Sequence, residues 1–175
     1  GMGGEATQDR MPSDEMLRKI DAVLERDKDR NFGFYYISDE PECRGVSPVY
    51  LKNLYEYIAD RDPYHVVMMA IRGASRYIDS ADWFQTHPYI CPYNEADGTR
   101  LHTRPLHTLG GYIDEVVKLN RPDKCIGFLP TCFAYRWQSL DLDYPTFDEY
   151  ILHTWAAMMR GGKTLWPYAY HDLND

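Results

Sequence analysis

Positive charge is in short supply in this chain. Lysine and arginine number 19 against 27 aspartates and glutamates, leaving a formal net charge of −8 at pH 7. A general nucleic-acid binder needs a basic face for the phosphates, so that class is set aside. Long apolar runs are lacking too: no stretch approaches the roughly 20 residues of a membrane-crossing helix. Cysteine is sparse. Cys43, Cys91, Cys125 and Cys132 are too widely spaced for a zinc ribbon or a CxxC redox site. Cys125 lies in an apolar run, where a small thiol packs like a hydrophobe. The even number permits disulfides without arguing for them. A leader peptide is missing as well. Gly1-Met2 reads as a tag remnant followed by a start residue, so cloning could have removed a native leader, and a secreted or periplasmic location stays open.

What the chain has in quantity is aromatic surface, with 15 tyrosines and 4 tryptophans. Its 175 residues, 44% of them hydrophobic, suffice for one domain with a substantial core. Residues 1–12 are polar and glycine-rich and are expected to be a disordered lead-in. Residues 13–175 are expected to form a single α/β domain.

One stretch organises that domain. Phe32-Gly33-Phe34-Tyr35-Tyr36-Ile37 is an apolar run of strand length, the kind that suits a strand buried on both faces. Ser38-Asp39-Glu40-Pro41-Glu42 follows and packs three carboxylates into four residues. Pro41 cannot donate to a ladder and should push Glu40 toward extended geometry, so the strand should end there. Acidic side chains at the carboxyl end of a buried strand stand where α/β folds bind ligands.

The remaining elements alternate. Ser13 caps a helix in which Met16, Leu17, Ile20, Val23 and Leu24 recur at helical spacing. Ser47-Pro48 starts a second helix, reaching about Asp60. Strands are expected at His65–Ala70, Asp82–Tyr89, Lys124–Leu129 and Thr164–Tyr168, with at most a short helix over Gly73–Ile78. Helices are expected over Leu109–Leu119 and, from the capping box at Thr146 and Glu149, up to about Arg160, where Gly161-Gly162 stops the last one. Cys91–Thr108 and Thr131–Tyr144 read as long loops. Links after strands are long and aromatic, whereas links before strands, such as Arg61–Tyr64 and Asn120–Asp123, are short. The predicted class is α/β: a parallel sheet of about five strands with helical crossovers, resembling a partial or half TIM barrel.

At the strand ends the sequence resembles retaining (β/α)8 glycoside hydrolases. Ser38-Asp39-Glu40-Pro41 is similar to the Asn-Glu-Pro signature closing their fourth strand. His87-Pro88-Tyr89 looks like their sixth-strand ending, and Gly162–Tyr168, after a helix containing Trp155, is similar to their eighth strand. The resemblance covers about residues 13–172 and implies the carboxyl half of a glycosidase barrel. It gives Glu40 the role of general acid/base, with a desolvated strand-end carboxyl as the physical basis. Asp39 stands where the family has the Asn that contacts the sugar 2-hydroxyl. Two departures accompany the match. The seventh-strand nucleophile position falls near Phe128-Leu129-Pro130-Thr131-Cys132, which holds no carboxylate, and the first two or three β/α units are absent. A fragment, a half-barrel completed by a partner, and an open doubly wound sheet all remain open readings.

Hydrolysis of a glycoside needs two carboxyls. Those on the expected active face are Asp39, Glu40, Glu42, Glu95, Asp97, Asp141, Asp143 and Asp172, with Asp172 the first choice of partner for Glu40 and Asp141 or Asp143 the second. Asp62 and Asp123 fall on links preceding strands and are excluded. Tyr36, His87, Tyr89, Trp137, Trp166 and Tyr168 could line a sugar cleft, since flat apolar rings with polar tips suit a sugar ring. The spacing of His102 and His107 fits no usual metal site, Cys132 has no elbow motif, and nothing calls for a cofactor. The expected function is glycoside hydrolysis on a poly- or oligosaccharide. The alternative is a non-catalytic carbohydrate-binding or scaffold domain completed by a partner chain, and open sheet edges would also permit a homo-oligomer.

Overall fold

A computed structural model describes residues 4–73, 75–88, 108–118, 121–132, 135–137, 140–142 and 144–166. Five parallel strands form the main sheet in the order β1-β2-β3-β4-β7: Phe34–Asp39, Val66–Ala70, Trp83–Thr86, Cys125–Phe128 and Thr164–Leu165. The order follows the chain without reversal. A doubly wound sheet reverses at its switch point, so that reading is set aside and a barrel wall is what remains. Among the described residues four α-helices accompany the strands: α1 (Asp14–Asp27), α2 (Pro48–Arg61), α3 (Leu109–Val117) and α4 (Phe147–Met159). Among the described residues, the link from β2 to β3 carries a 3-10 turn, Ser75–Tyr77, and no helix longer than that.

The helix starts follow their caps. The Ser13 hydroxyl accepts from the Met16 N–H, and the Ser47 hydroxyl accepts from the Tyr50 N–H. Thr146 and Glu149 form the reciprocal capping box at the head of α4. Gly4–Thr7 is a 3-10 helix with Ala6 buried, in a stretch expected to be a disordered lead-in.

Several expectations need correction. The apolar run does not make a strand buried on both faces: β1 lies at the end of the sheet order, and Tyr36 is exposed while Tyr35 and Ser38 are buried. An edge strand needs only one apolar side, and the tyrosine hydroxyls tolerate water on the other. The pairing of β1 with β2 also contains a bulge: Tyr36 pairs with Met68 and Ser38 with Met69, leaving Ile37 as an extra residue. The stretch Thr131–Tyr144 is not simply a loop, since Tyr135–Trp137 (β5) and Leu140–Leu142 (β6) pair as an antiparallel hairpin. The third strand ends at Thr86, before His87, and the fifth ends at Leu165, before Trp166.

The chain divides into two compact units, residues 1–84 with 121–124, and residues 85–120 with 125–175. In the first, Tyr50, Leu51, Leu54 and Ile58 of α2 are buried, as are Val67 and Met69 of β2. Beneath the amino end of its strands lies a polar hub. Asp62 accepts from the Tyr35 hydroxyl at 2.7 Å and the Tyr64 N–H at 3.2 Å, and lies 2.8 Å from His65 Nδ1. Phe32 stacks on the His65 ring at 4.0 Å. Burial alone would raise the Asp62 carboxyl, but these hydrogen bonds outweigh it and hold Asp62 below the usual carboxylate range.

In the second unit, Ile113 and Val116 of α3, Ile126 and Phe128 of β4, and His153 and Ala157 of α4 are buried. A Cβ at Gly162 would come within 2.6 Å of the Phe128 ring and 2.9 Å of the Ala157 carbonyl, so only glycine lets the chain pass there. The sheet face opposite Phe128 carries Gly127, beside Thr164 and Gln85, with Gln85 Nε2 3.4 Å from Thr164 Oγ1. Missing side-chain volume at Gly127 is what allows the side chains of β3 and β7 to meet across β4.

Candidate functional site

Glu40 is the first residue beyond β1, and its backbone is left-handed at φ +41° and ψ +60°. This corrects the expectation of extended geometry. Proline disfavours the right-handed region for the residue before it. Two hydrogen bonds then choose between the remaining regions: the Glu40 N–H donates to the Ala70 carbonyl at 3.0 Å, and the Glu40 carbonyl accepts from the Cys43 N–H at 3.0 Å. The first continues the ladder, and the second closes the 3-10 turn Pro41–Arg44. A side chain held left-handed costs on the order of 1–2 kcal/mol, and such strain concentrates at functional positions.

The Glu40 carboxylate accepts from Arg72 Nε at 2.8 Å. Arg72 lies just beyond β2, so two neighbouring strand ends meet in this ion pair. The Glu40 side chain is 18% exposed and that of Arg72 57% exposed, which puts the pair at the mouth of a surface and not in a closed core. The hydrogen bond to Glu40 raises the Arg72 guanidinium above its ordinary value, so it stays charged. Glu42 joins from the other side: its Oε1 accepts from the Arg72 backbone N–H at 2.6 Å. Glu42 Oε2 is shut off from solvent and has no hydrogen-bond partner among the described residues. Asp39 accepts from the Tyr36 hydroxyl at 2.9 Å and from Arg44 at 3.3 Å. Two hydrogen-bonded groups thus stand at the carboxyl ends of β1 and β2: Tyr36, Asp39 and Arg44 in one, Glu40, Glu42 and Arg72 in the other.

Arg72 was the residue missed in the sequence. The signal was its position, the second residue after a buried strand, where Glu40 stands one residue after its own. Three carboxylates drew attention, and the residue that two of them bind, Glu40 at its guanidinium and Glu42 at its backbone N–H, lies 32 residues from Glu40.

Other candidates fall in the second unit. His87 follows β3 directly and is partly buried, and Trp166 follows β7 and is about half exposed. Trp137 lies on β5, and Asp141 lies on β6 paired with Arg136 in the backbone register. Asp172, the first choice of second carboxyl, lies outside the described residues, as do Asp143, Tyr89, Tyr168, Glu95, Asp97, His102 and His107. Burial pushes the Cys132 thiol up, against a smaller opposing effect of its hydrogen bond with Tyr150, so it stays protonated as a packing group does. Among the described residues no three His, Cys, Asp or Glu side chains gather as a metal site would require, and no helix is long and apolar enough to cross a membrane.

No family model matches the sequence, and no curated protein does. Solved structures do. A crystal structure provisionally described as an alpha-L-fucosidase from Bacteroides thetaiotaomicron VPI-5482 is similar at a TM-score of 0.62 and 13% identity, over 86% of this chain and 51% of that one. Bee venom hyaluronidase matches more loosely, at a TM-score of 0.46 and 14% identity over 92% of this chain and 56% of that one, and carries no weight here. The chain spans about half the length of the fucosidase-like structure. At this identity the likeness is one of fold alone: an α/β chain whose five-stranded parallel sheet resembles part of a TIM barrel.

Proposed function

We propose that the chain carries a glycoside-hydrolase site, with Glu40 as its general acid/base and a poly- or oligosaccharide as substrate. The observation that supports this most is the placement of Glu40. It stands at the ligand-binding end of a barrel-like sheet, in a strained left-handed backbone, with its carboxylate at an open surface and braced by Arg72. Asp39 and Tyr36 stand beside it as hydrogen-bonding groups for sugar hydroxyls. In this reading a substrate oxygen takes the place of Arg72 at the Glu40 carboxyl, and the guanidinium moves to a neighbouring hydroxyl. The first choice of second carboxyl is Asp172, which lies outside the described residues. The test is turnover of a panel of aryl glycosides, α-L-fucosides among them, by the chain and by Glu40→Gln. Loss of at least 100-fold in kcat with sugar binding retained is expected of a general acid/base; undiminished turnover ends the assignment.

A second reading is favoured by the Glu40–Arg72 pair itself. An ion pair is most favourable with both groups charged, and a carboxylate engaged this way binds hydroxyls well without donating a proton. The chain would then be a carbohydrate-binding or scaffold domain. Saturable sugar binding by calorimetry, with no turnover by the chain, distinguishes it.

A further inference from the structure

We infer that the site takes an acidic saccharide, whose carboxylate or sulfate is held by Arg72 and Arg76. This rests on the glycosidase reading of Glu40 and goes further, naming the charge of the substrate. Arg72 is fixed at two points. Its backbone N–H donates to Glu42 Oε1 at 2.6 Å, and its Nε donates to the Glu40 carboxylate at 2.8 Å. Only Nε of the guanidinium is engaged, so both amino groups are without a partner among the described residues, on an exposed side chain. Parallel N–H donors on a planar cation match the paired oxygens of a carboxylate or a sulfate. Arg76 follows in the same link, in the turn Ser75–Tyr77, and is exposed as well. Its guanidinium lies over the Tyr77 ring, 5.0 Å from the centroid, and meets no carboxylate among the described residues. Burial raises the Tyr77 hydroxyl above its ordinary value; Arg76 opposes this and Glu42 adds to it, so both stand near that hydroxyl.

Charge decides what these donors prefer. The acids nearby are met within the protein: Asp39 by Tyr36 and Arg44, and Glu42 Oε1 by the Arg72 N–H, while Glu42 Oε2 is shut off from solvent. At these strand ends Asp39, Glu40 and Glu42 are matched by Arg44, Arg72 and Arg76, whereas the chain as a whole carries −8. A general acid must hold a proton. When Glu40 takes one, Arg72 loses the charge it is paired with, and these ends become cationic. A sugar hydroxyl does not replace a carboxylate there, because hydrogen bonds between charged groups are roughly twice as strong as neutral ones. A carboxylate or sulfate on the sugar does replace it, and it leaves Glu40 free to keep its proton for the glycosidic oxygen.

Calorimetry of the full chain with trigalacturonate and with its methyl ester tests this, since the two differ in charge and little in size. The acid should bind at least tenfold more tightly than the ester. Arg72→Gln and Arg76→Gln should each cut that ratio at least threefold with circular dichroism kept, because both side chains are exposed. A sulfated galactan oligomer and its desulfated form make a second pair, and a preference confined to one pair names the anion. Equal binding within both pairs, no binding of any of the four, or a preference that survives both substitutions overturns the proposal. Turnover is read separately, with Glu40→Gln as control. Acid preference without turnover leaves this inference standing and removes the hydrolase reading. Turnover of neutral glycosides without acid preference does the reverse.

Discussion

Glu40 joins two demands in one residue. Its carboxylate binds Arg72, and its backbone sits where glycine would be at ease. Glu40→Gly should therefore lose the ion pair and relieve the strain. Partly exposed ion pairs contribute about 0–1 kcal/mol, whereas the left-handed backbone costs about 1–2. Chemical denaturation should show Glu40→Gly at or above the parent's stability, and Glu40→Val about 2 kcal/mol below Glu40→Gly, since a β-branched residue fits that region worst. A more stable but inactive Glu40→Gly is what a strained catalytic residue predicts. If Glu40→Val matches Glu40→Gly, the strain at this position is not real. The sequence placed Glu40 at the strand end correctly. Its backbone was not legible, because Pro41 excludes one region without choosing between the others, and the choice came from the Ala70 carbonyl and the Cys43 N–H, contacts outside the motif.

At the scale of elements, helices were the most legible part. Ser13, Ser47-Pro48 and the Thr146–Glu149 box each announce a start through a local hydrogen bond that needs no tertiary partner. The β5–β6 hairpin was not readable. Its strands have three residues each, too few for alternation to register, and Gln138-Ser139 between them is not a strong turn pair. Nor did the sequence tell an edge strand from a central one in β1, because tyrosine serves both. The pairing of β4 between β3 and β7 turns on Gly127, whose role is equally hidden until its neighbours are known. A Cβ there would lie 2.6 Å from Gln85 Oε1 and closer still to Thr164 Oγ1. Gly127→Ala should cost about 1–3 kcal/mol through overpacking. Adding Thr164→Ser, which keeps the hydroxyl, should recover little, while Thr164→Gly should recover most of the loss. Thermal denaturation of the single and double variants measures both.

For the whole molecule, His153 and Asp62 tie the stability of the fold to acid. Burial drives the His153 imidazole down to about 4, so it is neutral in the folded state. Unfolding frees it to an ordinary value near 6.5, where the unfolded chain binds a proton that the folded one refuses. Stability therefore falls as pH drops from about 6.5 to 4, by about 3 kcal/mol from this residue. Asp62 has the opposite chemistry and the same sign. Its folded value is depressed, so its contribution is present above the ordinary carboxylate range and is lost as pH falls through the folded value. The two act in succession, histidine first. Urea midpoints should decline between pH 7 and 5, and His153→Leu should flatten that decline while leaving the steeper loss below pH 4. A midpoint that is level from pH 7 to 5 in the parent chain would contradict the burial of a neutral His153.

The extra residue in β1 has a consequence for how such a site can change over time. Side chains along a strand alternate between its faces, and one surplus residue reverses the parity of everything after it. Ile37 is that surplus, which is why Ser38 is buried and the Asp39 side chain reaches Tyr36 and Arg44. Remove the codon for Ile37 and the ladder closes without its bulge, with Ser38 still opposite Met69 and Asp39 still opposite Ala70. The faces of both residues survive, because the pairing with β2 sets them. A lineage could therefore shed this residue and keep the same acid at the strand end, whereas a deletion that left Ile37 in regular pairing would turn that acid inward.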